Sequence, residues 1–336
     1  MAPEPIRPTV ALAMHAGLEA VVLDDAQRTR LGEIADVVDP VALDGFGDER
    51  ARRALATCDV LLGHWGCPPL DAASLAVAPR LRLLAYAGGT VKKVVTDALW
   101  ERGVTMTTAA LANAVPVAEF TLSAILLANK GAFVLRERLR GDGRGVRRPR
   151  PLGNAGQRVG LIGASRVGRR VIELLSPFDL EVAVTDPHLS AGEADRMGVA
   201  LVPLDELLRT SSVVSVHAPE LSSTRHLVGA AELAMMRDGA TLVNTARGSL
   251  VDTEALVAEL TSGRLSAILD VTEPEPLPTD HPLLALSNAF VTPHVAGALG
   301  SELARLTDLA LDEIDRFAHG LPPLHPVRRE DLDRIA

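Results

Sequence analysis

The sequence is poor in cysteine and lacks an excess of positive charge. Cys58 and Cys67 are its only cysteines, and their spacing matches neither a metal site nor a redox pair, so a reducing compartment is expected. The net charge of -9 argues against a general nucleic-acid-binding protein, because neutralising phosphates needs clustered Lys and Arg. The histidines show no metal-ligand spacing, so no metal site is expected.

Targeting segments and repeats are also missing. Charged residues interrupt the apolar stretch near the N-terminus, and we see no run of about 18 apolar residues that would span a membrane. We therefore expect no cleavable signal and a cytoplasmic protein without nucleic-acid or membrane partners.

The chain does have the composition of a soluble globular protein, with 47% apolar and 23% charged residues. Its 336 residues are many for one hydrophobic core, so two domains are expected. Short apolar runs alternate with helix-like segments, which is typical of parallel sheets built from βαβ units. The predicted fold class is α/β, with two doubly wound domains.

The predicted strands form two sets. The first set is Thr9–Ala13, Val60–Leu62, Leu81–Ala85 and Val104–Thr107. The second set is Val159–Ile162, Glu181–Thr185, Val213–Val216, Thr241–Asn244, Ala267–Asp270 and Phe290–Thr292, which is the size of a complete dinucleotide-binding domain. Val115–Lys130 predicts one buried helix, residues 139–157 a loop, and residues 301–320 an amphipathic helix.

Polar residues follow the strands of the second set at their carboxyl ends, where open α/β sheets bind ligands. They are Asp186, His217-Ala218-Pro219, Thr245-Ala246-Arg247-Gly248, Asp270 and Pro293-His294. A structural protein would not need acid, base and guanidinium groups on one edge, so this edge indicates a ligand site.

The first strand of that set leads into RVGLIGASRVGRR (Arg158–Arg170). This segment has the frame of a dinucleotide-binding turn, G-x-G-x-x-G, with Ser165 in place of the middle glycine. The Ser165 hydroxyl can hydrogen-bond a phosphate, so we interpret the turn as modified and intact. Asp186 follows Gly163 at roughly the 20-residue spacing of a ribose-binding carboxylate, which favours NAD over NADP. The alternative is an ordinary strand-to-helix turn with an incidental Asp186.

Four segments resemble signatures of the D-isomer-specific 2-hydroxyacid dehydrogenase family. LVNTARGSLVD (Leu242–Asp252), LDVTEPEPLP (Leu269–Pro278) and VTPHVAGA (Val291–Ala298) look like its active-site signatures, and ANAVPVAEFTL (Ala112–Leu122) resembles its hinge helix. The resemblance implies a Rossmann-type NAD-binding domain over residues 113–296. It also implies a flavodoxin-like substrate domain from residues 1–112 and 297–336, and a homodimer.

The resemblance further implies hydride transfer between NAD and a 2-oxo or 2-hydroxy acid. Arg247 would clamp the substrate, His294 would protonate the keto oxygen, and Glu275, rather than Glu273, would pair with His294. The chemistry itself calls for a proton donor with a pKa near neutrality, because hydride transfer builds negative charge on oxygen. The alternatives are a structural His294 and a Glu275 that is only a surface acid.

The implied binding residues extend around this centre. The cofactor set is Gly163, Ser165, Arg166, Val167, Gly168, Asp186, His217, Ala218, Pro219, Thr245, Ala246, Arg247, Asp270, His294 and Gly297. Ala87, Gly88 and Gly89 of YAGGT would bind the substrate carboxylate beside Arg247 and His294, with a plain turn as the alternative.

Several points stay open at this level. Lys92 and Lys93 stand where the family usually has Asp-Asn, and they indicate either a solvated helix start or an attraction for acidic substrates. Trp65 fits a pocket wall or the core equally well. Phosphite dehydrogenases and NAD-responsive corepressors of the C-terminal-binding-protein type remain rivals, whereas formate dehydrogenases carry Gln in place of Glu275. No motif specifies the substrate side chain.

Overall fold

The computed structural model describes residues 6–141 and 153–332. These residues divide into two compact units, which we call unit 1 (residues 6–113 and 298–332) and unit 2 (Ala114–Gly297). Asn113 is thus the last residue of the first segment of unit 1, and Gly297 closes unit 2. Most of the predicted loop over residues 139–157 lies outside the described residues.

Strands and helices alternate along most of the chain. The strands are β1 (Thr9–Ala13), β2 (Asp36–Val37), β3 (Val60–Gly63), β4 (Leu83–Tyr86), β5 (Thr105–Thr108), β6 (Gln157–Ile162), β7 (Leu180–Thr185), β8 (Ala200–Leu201), β9 (Val213–Val216), β10 (Thr241–Asn244), β11 (Ser266–Leu269) and β12 (Ala289–Val291). The helices are α1 (Glu19–Val22), α2 (Asp25–Ile34), α3 (Glu49–Thr57), α4 (Ala72–Ala76), α5 (Asp97–Glu101), α6 (Ala110–Asn129), α7 (Ala132–Gly141), α8 (Arg166–Leu175), α9 (Ala191–Met197), α10 (Leu204–Thr210), α11 (Ala230–Met235), α12 (Thr253–Thr261) and α13 (Leu303–Ala318).

Unit 1 contains a five-stranded parallel sheet in the order β2-β1-β3-β4-β5. This is the flavodoxin-like order. Strands β3 and β4 are buried along their whole length, as expected for a parallel sheet with helices on both faces. The amphipathic helix predicted near the C-terminus is α13, and its Leu306, Leu311 and Ile314 are buried in the core of this unit.

Unit 2 contains a seven-stranded parallel sheet in the order β12-β11-β10-β9-β6-β7-β8. Counted from β6, the first six strands have the 3-2-1-4-5-6 order of a dinucleotide-binding domain, with β12 added at the edge. The predicted pair of doubly wound α/β domains is therefore confirmed. The strand beyond the six predicted is β8, whose two residues are too few to show an alternating pattern.

Helix α6 begins earlier than the predicted helix Val115–Lys130, and it is long and apolar enough to cross a membrane by length and composition. The prediction concerned an uninterrupted apolar run, and Asn113 and Glu119 interrupt this helix. The helix packs Ala118, Ile125 and Ala128 into the core of unit 2, as the core helix of a globular domain does. Its Thr121 hydroxyl lies 2.7 Å from the Thr245 hydroxyl at the end of β10.

Candidate active site

The carboxyl edge of the unit 2 sheet collects the polar residues that the sequence places after strands. Because β6, β7, β9, β10, β11 and β12 are all parallel, the segments that follow them leave the sheet at the same edge. The glycine turn follows β6, Asp186 follows β7 and His217 follows β9. Arg247, Asp270 and His294 follow the next three strands.

Two glycines of the turn are required by the backbone. Gly163 has φ +102°, in the region that favours glycine, and a Cβ there would lie 2.8 Å from the Ala218 nitrogen. A Cβ on Gly168 would lie 2.3 Å from the Gly163 carbonyl oxygen. The turn therefore packs against its own helix and against the segment after β9 too closely for any side chain at either position.

Ser165 stands in ordinary extended backbone, with φ -64° and ψ -179°, so its position does not need glycine. It is the N-cap of α8, and its hydroxyl accepts the N–H of Gly168 at 3.3 Å. Arg166 and Val167 form the first turn of this helix. The residue that replaces the middle glycine is thus a helix cap, and the N-terminus of α8 keeps the geometry that suits an anion.

Asp186 joins the turn to the end of β7. Its carboxylate accepts the N–H of Ala164 at 2.7 Å and the N–H of His188 at 2.7 Å. A carboxylate offers about four acceptor positions, so acceptor capacity is left for the hydroxyl groups of a sugar. Asp186 therefore fits the position of a ribose-binding residue.

His217 lies buried where β9 meets the glycine turn. Burial lowers the pKa of His217 to about 4, so its imidazole is neutral at ordinary pH. Its Nε2 lies 2.9 Å from the Ser215 hydroxyl, and its Nδ1 has no hydrogen-bond partner within the residues that the structure describes. Ala218 is buried and Pro219 is half-buried beside it.

The Arg247 turn after β10 is fixed by its own backbone. The Asn244 side chain donates to the Arg247 carbonyl at 2.7 Å and accepts the Ala246 N–H at 3.0 Å. The Arg247 guanidinium is partly exposed, and its Nε lies 3.9 Å from a carboxylate oxygen of Glu220. The backbone of the next residue, Gly248, packs directly on Thr272, because a Cβ on Gly248 would lie 2.0 Å from the Thr272 carbonyl oxygen.

His294 and Glu275 form a close pair on two loops of this edge. The His294 Nδ1 lies 2.5 Å from the Glu275 Oε1, and the side chains are 51% and 40% exposed, so both are open to solvent. His294 has φ +56°, a left-handed conformation that few non-glycine residues adopt. Glu273 is not part of this pair, because its carboxylate lies 2.7 Å from the Arg225 guanidinium instead.

Asp270 fixes the loop that carries His294. Its Oδ1 accepts the Thr292 hydroxyl at 2.6 Å and the Val295 N–H at 2.8 Å, and its Oδ2 accepts the Ala296 N–H at 2.8 Å. The carboxylate is 2% exposed. The sequence expectation gave Asp270 a contact with the cofactor only, whereas the structure shows that it also shapes the loop on both sides of Val295.

The YAGGT loop of unit 1 is held in place by a neighbouring strand. The Thr108 hydroxyl, at the end of β5, lies 3.0 Å from the Gly88 carbonyl oxygen and 2.8 Å from that of Gly89. Ala87 and Gly88 are buried and Gly89 is half-buried. Within the part of the chain that the structure describes, the N–H groups of Gly88 and Gly89 donate to no protein acceptor.

Other residues singled out in the sequence lie at the same edge of unit 1 or near it. His64 is fully buried, and its ring packs edge-on against the half-buried Trp65. Trp65 contacts the core of unit 1. Lys92 is half-buried and Lys93 is exposed. Residues 6–141 and 153–332 contain no group of three or more His, Cys, Asp or Glu that could hold a metal ion.

Several side chains around the unit 2 edge carry no sequence signal. Arg225, His226 and Glu220 contact the loops of Arg247 and Glu273, but they belong to none of the four family signatures. His226 has φ +50°, which residue type alone does not reveal.

Comparison with known proteins shows which family this chain resembles. The family model for the "D-isomer specific 2-hydroxyacid dehydrogenase, NAD binding domain" matches residues 122–296. A D-3-phosphoglycerate dehydrogenase of Archaeoglobus fulgidus is 32% identical over 79% of this chain and 50% of its own length. A glyoxylate reductase of Aeropyrum pernix is 33% identical over 78% of this chain and 80% of its own length. The chain therefore spans about half the length of the D-3-phosphoglycerate dehydrogenase.

A solved structure resembles this chain over nearly its whole length. A phosphoglycerate oxidoreductase from Rhizobium etli superposes with a TM-score of 0.77 at 28% identity, and the match covers 96% of this chain and 99% of that one.

Proposed function

Since the chain belongs to the D-isomer-specific 2-hydroxyacid dehydrogenase family and its cofactor is NAD, we propose that it interconverts a small D-2-hydroxy acid and the corresponding 2-oxo acid. The observation that carries this proposal is the contact of 2.5 Å between His294 and Glu275 at the ligand-binding edge of the NAD-binding unit. A histidine with one ring nitrogen on a carboxylate has its other nitrogen available for a substrate oxygen.

The proton chemistry belongs to this pair. Reduction of a keto group leaves negative charge on its oxygen, and we assign the Nε2 of His294 as the donor that protonates it. The Glu275 carboxylate accepts the hydrogen of His294 Nδ1, which orients the ring and leaves Nε2 to face the substrate. In the reverse direction the neutral imidazole takes the hydroxyl proton.

The substrate's acid group is assigned to Arg247. Its guanidinium is planar and offers paired N–H donors, which match a carboxylate and an adjacent keto oxygen. The Asn244 contacts fix the backbone on which Arg247 stands. In unit 1, the N–H groups of Gly88 and Gly89 are assigned to the substrate's carboxylate. The Ala87 N–H, which the sequence also favoured, is not available for it, because it donates to the Gly63 carbonyl at 2.7 Å.

The cofactor assignment uses the glycine turn. When bound, NAD supplies or accepts the hydride. The N-terminus of α8, with Ser165, Arg166 and Val167, would hold the pyrophosphate, and Asp186 would hold the ribose hydroxyls. The other residues that we assign to NAD binding are His217, Ala218, Pro219, Thr245, Ala246, Asp270 and Gly297. A carboxylate at position 186 repels a 2′-phosphate, so NADH is preferred over NADPH.

A cytoplasmic homodimer is the proposed state of the protein. It follows from the family resemblance of helix α6 and from the cysteine content, and sedimentation of the purified protein tests the dimer.

A turnover assay tests the function itself. The purified protein is mixed with NADH and with glyoxylate, hydroxypyruvate, pyruvate, or branched and aromatic 2-oxo acids, and loss of NADH absorbance is followed. We expect saturable turnover with at least one of these acids and weaker use of NADPH. Binding of NADH without turnover of any acid would instead identify an NAD-responsive binding module, and phosphite is included as a substrate to test the rival dehydrogenase.

A further inference from the structure

The segment that carries Glu275 is attached to the rest of unit 2 through Glu273. The Arg225 Nη1 lies 2.7 Å from one carboxylate oxygen of Glu273, and the His226 Nε2 lies 3.4 Å from the other. The Arg225 guanidinium holds the pKa of Glu273 below its usual range, so this carboxylate is ionised at neutral pH. Glu273 is two residues from Glu275, so whatever fixes Glu273 limits where Glu275 can lie.

Arg225 itself stands on a backbone that is tied to the Arg247 turn. The His226 N–H donates to the Ser249 carbonyl at 2.8 Å, and the Val228 N–H donates to the Leu250 carbonyl at 3.0 Å. The Asp252 N–H returns to the Val228 carbonyl at 3.1 Å. Three backbone hydrogen bonds therefore join the segments 225–228 and 249–252.

A third contact, the packing of Gly248 on Thr272, joins the Arg247 turn to the segment that carries Glu273. The backbones of these residues are so close that a Cβ on Gly248 would also lie 2.7 Å from the Glu273 nitrogen. The segments of Arg225, Arg247 and Glu273 thus form a closed loop of contacts. Its shortest charged contact is the Arg225–Glu273 ion pair, and His226 lies farther away from Glu273 and Asp252, at 3.4 and 3.9 Å.

We propose that Arg225 and Glu273 are positioning residues that hold Glu275 on His294 and keep this pair in register with Arg247. The proposal rests on the function proposed above, because it gives Glu275 and His294 their acid–base role. Neither Arg225 nor Glu273 is assigned a contact with substrate or cofactor.

Stability alone does not explain the ion pair. The two side chains are 55% and 35% exposed, and ion pairs at such exposure stabilise folding little. The position of a catalytic carboxylate matters far more, because a displacement of about 1 Å can lower a rate by roughly 100-fold. The proposal therefore predicts a large effect on turnover together with a small effect on stability.

The experiment compares Arg225→Gln in two backgrounds, with the best 2-oxo acid identified by the turnover assay. In the natural background we expect kcat to fall by roughly tenfold, with the Kd for NADH unchanged and a larger solvent deuterium isotope effect, because proton donation becomes slower. In a Glu275→Gln background the same change should have almost no further effect on kcat, since Arg225 acts through Glu275.

Two further variants guard against a simple folding defect. Arg225→Lys keeps the charge and should recover part of the lost kcat, and Glu273→Gln should reproduce the effect of Arg225→Gln. Arg170→Gln is the matched control, because Arg170 and Glu173 form an exposed ion pair of the same 2.7 Å length on α8, and it should leave kcat unchanged.

The possible failures are distinguishable. Equal losses of kcat from Arg225→Gln in both backgrounds, or no loss in either, would overturn the positioning role while leaving the proposed function intact. Absence of turnover by the unaltered protein would overturn both.

Discussion

In unit 2 several strands of the parallel sheet are followed by charged side chains, whereas in unit 1 strands β3 and β4 are followed by small or buried residues. Asp186, Asp270 and His294 stand at or after strand ends in unit 2, and Ala87, Gly88 and the buried His64 stand there in unit 1. The two sheets share their architecture, with parallel strands and helical crossovers. The difference shows that the sheet gathers loops at one edge, while the loop residues decide the chemistry.

The same contrast appears in how each edge is held together. In unit 2, carboxylates fix loops by accepting backbone N–H groups, as Asp186 does for the glycine turn and Asp270 does for the His294 loop. In unit 1, the hydroxyl of Thr108 fixes the YAGGT loop through the carbonyl groups of Gly88 and Gly89, whose own N–H groups donate to no acceptor among the described residues. One edge presents charged side chains and the other presents neutral backbone donors.

The largest expected effect is the loss of kcat when His294, at the unit 2 edge, is replaced. His294→Asn should lower kcat for the best 2-oxo acid by about 100- to 10,000-fold, the usual cost of losing an acid–base group. The Kd for NADH, measured by calorimetry, should change little, because the imidazole acts on substrate. His319→Asn, at an exposed position of unit 1, is the control and should keep full activity. Near-normal reduction by His294→Asn would remove the assigned role.

A smaller effect is expected at the glycine turn. Gly168→Ala places a methyl group against the Gly163 carbonyl, so the free energy of unfolding should fall by roughly 1–3 kcal/mol, and NADH binding should weaken as well. Urea unfolding with and without NADH measures both. Gly192→Ala on α9 is the control, because its Cβ would meet only an Arg196 side-chain atom at 3.7 Å. If both variants behave alike, the close packing of the turn has no consequence.

The two units should respond alike to acid, because each buries one neutral histidine after a strand. Burial lowers the pKa of His64 and of His217 to about 4, so the unfolded chain takes up protons that the folded chain refuses. The contribution of these neutral histidines to the free energy of unfolding is therefore fully present above the ordinary histidine pKa, and it is lost as the pH falls towards 4. Between about pH 6.5 and 5.5, each of the two histidines should lower the free energy of unfolding by about 1 kcal/mol.

Urea unfolding at several pH values tests this dependence. His217→Gln should make the profile flatter, since one of the two groups no longer titrates. Stability that rises on acidification over this range would contradict the assignment of neutral buried imidazoles.

The smallest expected effect concerns Ser165. Because its backbone is extended and its hydroxyl caps α8, Ser165→Gly should change the Kd for NADH by no more than about tenfold, or roughly 1.4 kcal/mol. Fluorescence titration with NADH measures this. A loss of all saturable binding would show that the serine is essential to the turn, and no NADH binding by the unaltered protein would contradict the cofactor assignment.

The sequence by itself determined the repeating units of the fold. Strands β1, β9 and β10 have the predicted bounds, because buried parallel strands read as short apolar runs. The strand-end positions of Asp186, Arg247 and His294 followed from the same runs. Short elements such as β2 and β8 escaped, since two residues have no period.

The tertiary structure decided which of these residues meet. The sequence favoured Glu275 over Glu273 only by resemblance. In the structure Glu275 contacts His294, whereas Arg225 and Gly248, which lie outside the LDVTEPEPLP segment, contact Glu273 and Thr272. Ser165 became a helix cap, and Asp270 became the anchor of a loop more than twenty residues away along the chain. Such pairings depend on backbone paths and on contacts between distant segments, which local patterns of residue type do not encode.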